Sequence, residues 1–99
     1  APPRIPRITR LMALAIKFQD MVDRGEVKDY ADLARLGFVT RARLTQIMNL
    51  TLLAPDIQEE VLFGFAEKHR PMHRGEAALR RIISFTFWPD QRSQWGGRR

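Results

Sequence analysis

The sequence predicts an all-α fold, a small helical bundle, and three observations carry that expectation. Apolar residues recur at helical spacing through the first two thirds of the chain. Each such stretch opens on a residue that caps helices or closes on a glycine that ends them. The hydrophobic share of 44% suits a packed chain, and the absence of cysteine removes disulfides and thiolate metal sites as alternative means of holding it together.

Residues 1–6 include three prolines and are expected to be an extended lead-in. From Thr9, a capping residue, Leu11, Leu14, Ala15, Phe18, Met21 and Val22 share one helical face, while Arg10, Lys17, Asp20 and Asp23 fall on the other. Gly25 suits the left-handed position just past this first helix. Asp29 then caps a short helix whose inward face is Leu33 and Leu36, with Ala34 as a small contact point and Gly37 as its stop. Phe38 and Val39 form an apolar turn. Thr40 caps another helix, running to about Leu50, that buries Leu44, Ile47 and Met48. Helix, glycine turn and capped helix in that order make a helix-turn-helix.

Pro55 and Asp56 open a further helix, since proline tolerates the first helical position and an acid favours the positive end. Ile57, Val61 and Leu62 line its inner face, and Gly64 ends it. Residues 68–75 mix charge, histidine, proline and glycine and are expected to be a loop. Residues 76–87 fit either a helix, through Ala78, Leu79, Ile82 and Ile83, or in their second half an alternating strand. Pro89 ends either one, and residues 92–99 are expected to be a disordered basic tail. The division expected is therefore 1–64, a helix-turn-helix unit with a basic N-terminal arm, and 65–99, a C-terminal extension and dimerisation element.

The formal charge of +6 is unevenly spread. Residues 1–10 hold Arg4, Arg7 and Arg10 and no acid; residues 11–63 hold six basic and eight acidic groups; residues 64–99 hold eight basic groups against three acids. Basic ends on a near-neutral body suit a polyanion partner, because arms lie along phosphates while the body sets register. No apolar run approaches the roughly 18 residues of a membrane span. The first residues lack the apolar core of a secretory leader, so the cytoplasm, and in bacteria the nucleoid, is the expected location.

The stretch from Asp32-Leu33-Ala34-Arg35-Leu36-Gly37 to Thr40-Arg41-Ala42-Arg43-Leu44-Thr45 resembles the ParB/KorB-type helix-turn-helix of bacterial and mobile-element proteins. Such modules show Leu-Ala, a glycine turn and a Ser/Thr-capped helix of the form Arg-x-x-apolar-Ser/Thr. The likeness continues through Leu50, Leu53, Pro55, Ile57 and Gln58, and so spans residues 29–62. Two turns differ in spacing: Gly37 lies three residues after Ala34 where the family has four, and Ala54 is one residue more than the family carries before its proline. No Gly-rich phosphate loop is present, so the resemblance implies a DNA reader acting on transcription or mobile-element DNA and not a nucleotide-hydrolysing partition protein.

With Leu44, Ile47 and Met48 inward, Arg41, Ala42, Arg43, Gln46 and Asn49 are expected to face bases in the major groove. Arginine pairs with guanine O6 and N7, Gln or Asn with adenine N6 and N7, and a short alanine admits a thymine methyl. Thr40, Thr45, Lys28 and Tyr30 are expected on phosphates, with packing of Tyr30 on the first helix as its alternative. Arg4, Arg7 and Arg10 are expected as an arm in the minor groove, or as a leader making no contact. Residues 37–55 contain no acid, which favours a phosphate-facing surface.

The partners expected are double-stranded DNA and a second copy of the chain, because one module reads few base pairs. Two other readings are a protein-binding adaptor with incidental basic tails, and single-strand or RNA binding through Phe85, Phe87, Trp88 and Trp95. No enzyme, cofactor, membrane or small-molecule substrate is expected, since no nucleophile–base pair or acidic metal cluster stands out. His69 and His73 are four apart, but Pro71 lies between them and no ligand set is completed, so no metal is expected.

Overall fold

A computed structural model describes residues 4–37, 39–64 and 75–96. Among them it is all-helical, with no strand, as the sequence predicts. The order is α1 Arg7–Asp23, α2 Tyr30–Gly37, α3 Arg41–Met48, a single 3-10 turn Asn49–Leu52, α4 Pro55–Phe63, α5 Glu76–Ile83 and α6 Trp88–Trp95. α1 is the spine: it packs on α3, the 3-10 turn and α4, while α2 packs on α3, and α5 on the 3-10 turn and α6. No helix among the described residues is long and apolar enough to cross a membrane.

α1 begins earlier than the sequence predicts. Pro6, at φ −63° and ψ 152°, is its N-cap, and its carbonyl accepts from the amides of Thr9 and Arg10. Ile8, Met12 and Ala15 form the buried stripe, and burying Ile8 draws the first turn into the helix. Arg7 and Arg10 are therefore helical residues and not parts of an extended arm. Thr9 is no cap either: it is buried, and its Oγ1 donates to the carbonyl of Val61 at 2.7 Å, tying α1 to α4. At the other end Gly25 has φ +77°. Its amide donates to Val22 and the next amide, of Glu26, to Met21, the paired closure that a left-handed residue permits.

Asp29 caps α2 through Oδ1, which accepts from the amide of Asp32 at 3.0 Å, while Asp32 returns Oδ2 to the amide of Lys28 at 3.1 Å. Leu33 and Ala34 are buried, but Leu36 is 63% exposed and is not on the inward face. The buried stripe is centred between Leu33 and Ala34, and at about 100° per residue Leu36 falls well to one side of it. The turn closes through the amide of Val39 on the carbonyl of Ala34; Phe38 lies outside the described residues.

Two buried clusters result. Val27, Leu33, Ala34, Leu44 and Met48 seal α2 onto α3. The larger cluster joins Ile8 and Met12 of α1, Ile47 of α3, Leu50 and Leu53, Ile57 and Val61 of α4, and Leu79 and Ile82 of α5. One core thus runs across residue 64, and α5 is built into it. Pro55, Asp56 and Gly64 take their expected places at the ends of α4.

The C-terminal third departs most from the expectation. α5 stops at Ile83, and residues 84–87 are a link, not a strand. Pro89 does not end an element; it sits in the first turn of α6, where its missing amide costs nothing. Residues 92–95, expected as part of a disordered tail, are helical. α6 is held on α4 by Arg92 Nε on Asp56 at 3.0 Å and by Trp95 Nε1 on Glu60 at 3.0 Å. These anchors are polar, so apolar periodicity does not announce them. The expected loop at 68–75, with His69 and His73, lies outside the described residues save for Gly75.

Candidate nucleic-acid interface

The site is built on α3. Burial of Leu44 and Met48 against α2, and of Ile47 against the main core, fixes the rotation of this helix. Arg41, Ala42, Thr45, Gln46 and Asn49 are consequently exposed. Thr40 has ψ 158° and its hydroxyl oxygen accepts from the amide of Arg43 at 3.1 Å, the N-cap bond its position predicts. Replacing Thr40 by Ala is expected to cost about 1 kcal/mol of stability, read by thermal or urea denaturation. A loss below a few tenths of that figure would show that the cap does not hold the start of α3.

Arg41 makes no ion pair among the described residues and extends from the first turn of α3. Asn49 caps the C-terminus of α3, farther from that end. Thr45 Oγ1 donates to the carbonyl of Arg41 at 2.9 Å, so its proton is spent inside the helix and it meets a phosphate only after turning. Lys28 is exposed. The Tyr30 hydroxyl donates to Gln19 Oε1 at 3.1 Å, binding the start of α2 to α1. Arg4 precedes α1 and is exposed, as are Arg7 and Arg10 on its first turns.

Arg43 differs from the rest of its helix. It is half-buried and turns from the open face towards α5, where Nη1 and Nη2 engage the two carboxylate oxygens of Glu76, the Nη2–Oε1 bond being 3.1 Å. Nη1 also donates to Gln46 Oε1 at 3.0 Å. Arg80 Nη1 reaches the same carboxylate at 3.1 Å. Sequence reasoning missed Glu76 altogether. The acid-free run of residues 37–55 gains a carboxylate from 33 residues farther along, which no local spacing reveals.

The Glu76 carboxyl is held below its ordinary value of 4.5, chiefly by the Arg43 hydrogen bonds. Burial opposes this, and the charges of Arg43, Arg80 and Arg7 add to it. The Arg7 charge acts on this carboxylate from the start of α1. A depressed carboxyl stabilises the fold above its unfolded value, and that contribution is lost as pH falls through the folded one. Stability is expected to decline with acid from about pH 4.5 downward. In Glu76→Gln that part of the profile is expected to be flatter, by urea denaturation at stepped pH; superimposable profiles would remove Glu76 from the account.

What the arrangement offers is a helix whose exposed side holds Arg41, Ala42, Thr45 and Gln46, side chains able to donate and accept hydrogen bonds, with Arg43 drawn aside by Glu76. No protein-family model matches the chain, and no curated protein and no solved structure was found to be similar to it.

Proposed function

We propose that the chain binds double-stranded DNA sequence-specifically, with α3 as the recognition helix in the major groove, in the service of transcription or mobile-element DNA in the bacterial nucleoid. The observation that carries this reading is the open face of α3. Arg41, Ala42, Gln46 and Asn49 are exposed together on a helix that contains no acid and whose other side is locked by burial. Arg41 is the side chain free to pair with guanine, and Ala42 allows close approach. Arg43, bound to Glu76, acts from beneath the face and is not itself the base reader. Thr40, at the positive end of α3, and Lys28 are suited to phosphate. Arg4, just before α1, and Arg7 and Arg10, on its first turns, are suited to phosphate; with two of the three helical, they do not form an extended minor-groove arm.

A second copy of the chain extends the site. Leu52 and Phe85 are drawn together by Gln91, whose Nε2 donates to both their carbonyls. Leu52, Phe87 and Trp88 are 55%, 69% and 47% exposed, large apolar side chains left open to such a partner. The same surface is what an adaptor reading rests on. Selection of bound sites from random duplex DNA separates the two: an enriched palindrome is expected, whereas no enrichment removes the DNA reading and leaves the adaptor.

A further inference from the structure

We infer that the Glu76–Arg43 pair sets the reading polarity of Gln46, so that this position of α3 selects guanine and not adenine. The inference rests on the DNA-binding reading above and deepens it by naming the base edge.

The chain of contacts has one direction. Glu76 turns both carboxylate oxygens to the fork of Arg43. The carboxylate is held in place in turn by Arg80. A guanidinium donates at every nitrogen and accepts at none. The Gln46 atom that meets Arg43 Nη1 at 3.0 Å must therefore be the carbonyl oxygen, and the amide cannot be flipped without setting NH2 against a donor. Gln46 is exposed, and its Nε2 has no acceptor among the described residues. What it presents outward is a pair of donors.

A free glutamine reads adenine by accepting from N6 and donating to N7 at once. With Oε1 turned to Arg43, one of its two lone pairs is used and the oxygen is held on the α5 side, so the NH2 group is the half of the amide turned to the base edge. The two remaining donors match the major-groove edge of guanine, whose O6 and N7 are both acceptors, and they leave the adenine N6 amino group without a partner. Glu76 and Arg43 are positioning residues in this scheme, and Gln46 is the one that touches the base. Helix α5, in the part of the chain whose role the sequence leaves open, thereby takes part in specificity without reaching DNA.

The test uses the full chain and the duplex site recovered by selection, with every base pair replaced in turn. Gln46→Ala identifies its own position, as the one whose preference it abolishes. At that position the wild type is expected to prefer guanine over adenine by roughly 5- to 100-fold. Arg43→Met and Glu76→Gln are each expected to reduce that ratio to about twofold or less, with preferences at other positions retained. Adenine preferred by the wild type, a guanine preference kept in both variants, or no position that responds to Gln46→Ala would each overturn the inference. Loss of preference at every position in both variants also counts against it, because that is the mark of a general structural role. If the wild type shows no base preference anywhere, the DNA-binding reading itself falls, an outcome distinct from all of these.

Discussion

Replacing Gln91 by leucine is expected to lower the unfolding free energy by about 2–4 kcal/mol, although it places an apolar residue in an apolar setting. Gln91 is 1% exposed, and its side chain joins three pieces of backbone. Oε1 accepts from the amide of Ala54 at 2.8 Å, and Nε2 donates to the carbonyls of Leu52 at 3.2 Å and Phe85 at 3.0 Å. Ala54 stands immediately before α4, outside any helical ladder, so its amide needs a partner from elsewhere. Leucine fills much of the same volume and supplies no hydrogen bond. The cost is thus the desolvation of an orphaned amide and two carbonyls, and not a cavity. Gln91→Ala adds the cavity and is expected to be worse. Urea denaturation reads both: the midpoint should fall with the slope unchanged. A loss under about 0.5 kcal/mol for leucine would mean that water reaches these groups and that α6 is not an integral part of the fold.

The largest functional effect is expected from Arg41→Ala combined with Gln46→Ala. Each removes a base contact worth about 1–3 kcal/mol, so together they should weaken binding to the selected duplex roughly 100-fold or more. Base preference should be lost at two positions, while binding to random duplex, which depends on phosphate contacts, changes little. Arg10→Ala should do the reverse, weakening all sequences alike and reducing the salt slope by about 1. Arg41 and Arg43 together would be a poorer pair, because Arg43 is bound to Glu76 and its removal disturbs the α3–α5 junction as well. Fluorescence anisotropy with matched and random duplexes measures all of these. Unchanged affinity and preference in the Arg41/Gln46 variant, with its fold intact by circular dichroism, would remove α3 as the recognition element.

The sequence by itself determined the elements whose signals are local. Thr40, Asp29, Gly25, Pro55 and Gly64 each act on backbone within a few residues, and each stands where its chemistry predicts. The inward face of α3 was equally legible, because burying Leu44, Ile47 and Met48 follows from a 3.6-residue period alone. Tertiary structure alone decided the partners of polar side chains. Thr9 reads as a cap until Val61, 52 residues away, claims its hydroxyl. Arg43 reads as one more exposed cation until Glu76 arrives from α5. α6 is invisible to apolar periodicity because what holds it in place is Gln91, Arg92 and Trp95 bonding to distant groups. The reason is common to all three. A hydrophobic stripe needs only some core to face, whereas a hydrogen bond needs one particular atom, and which atom that is depends on how the helices pack.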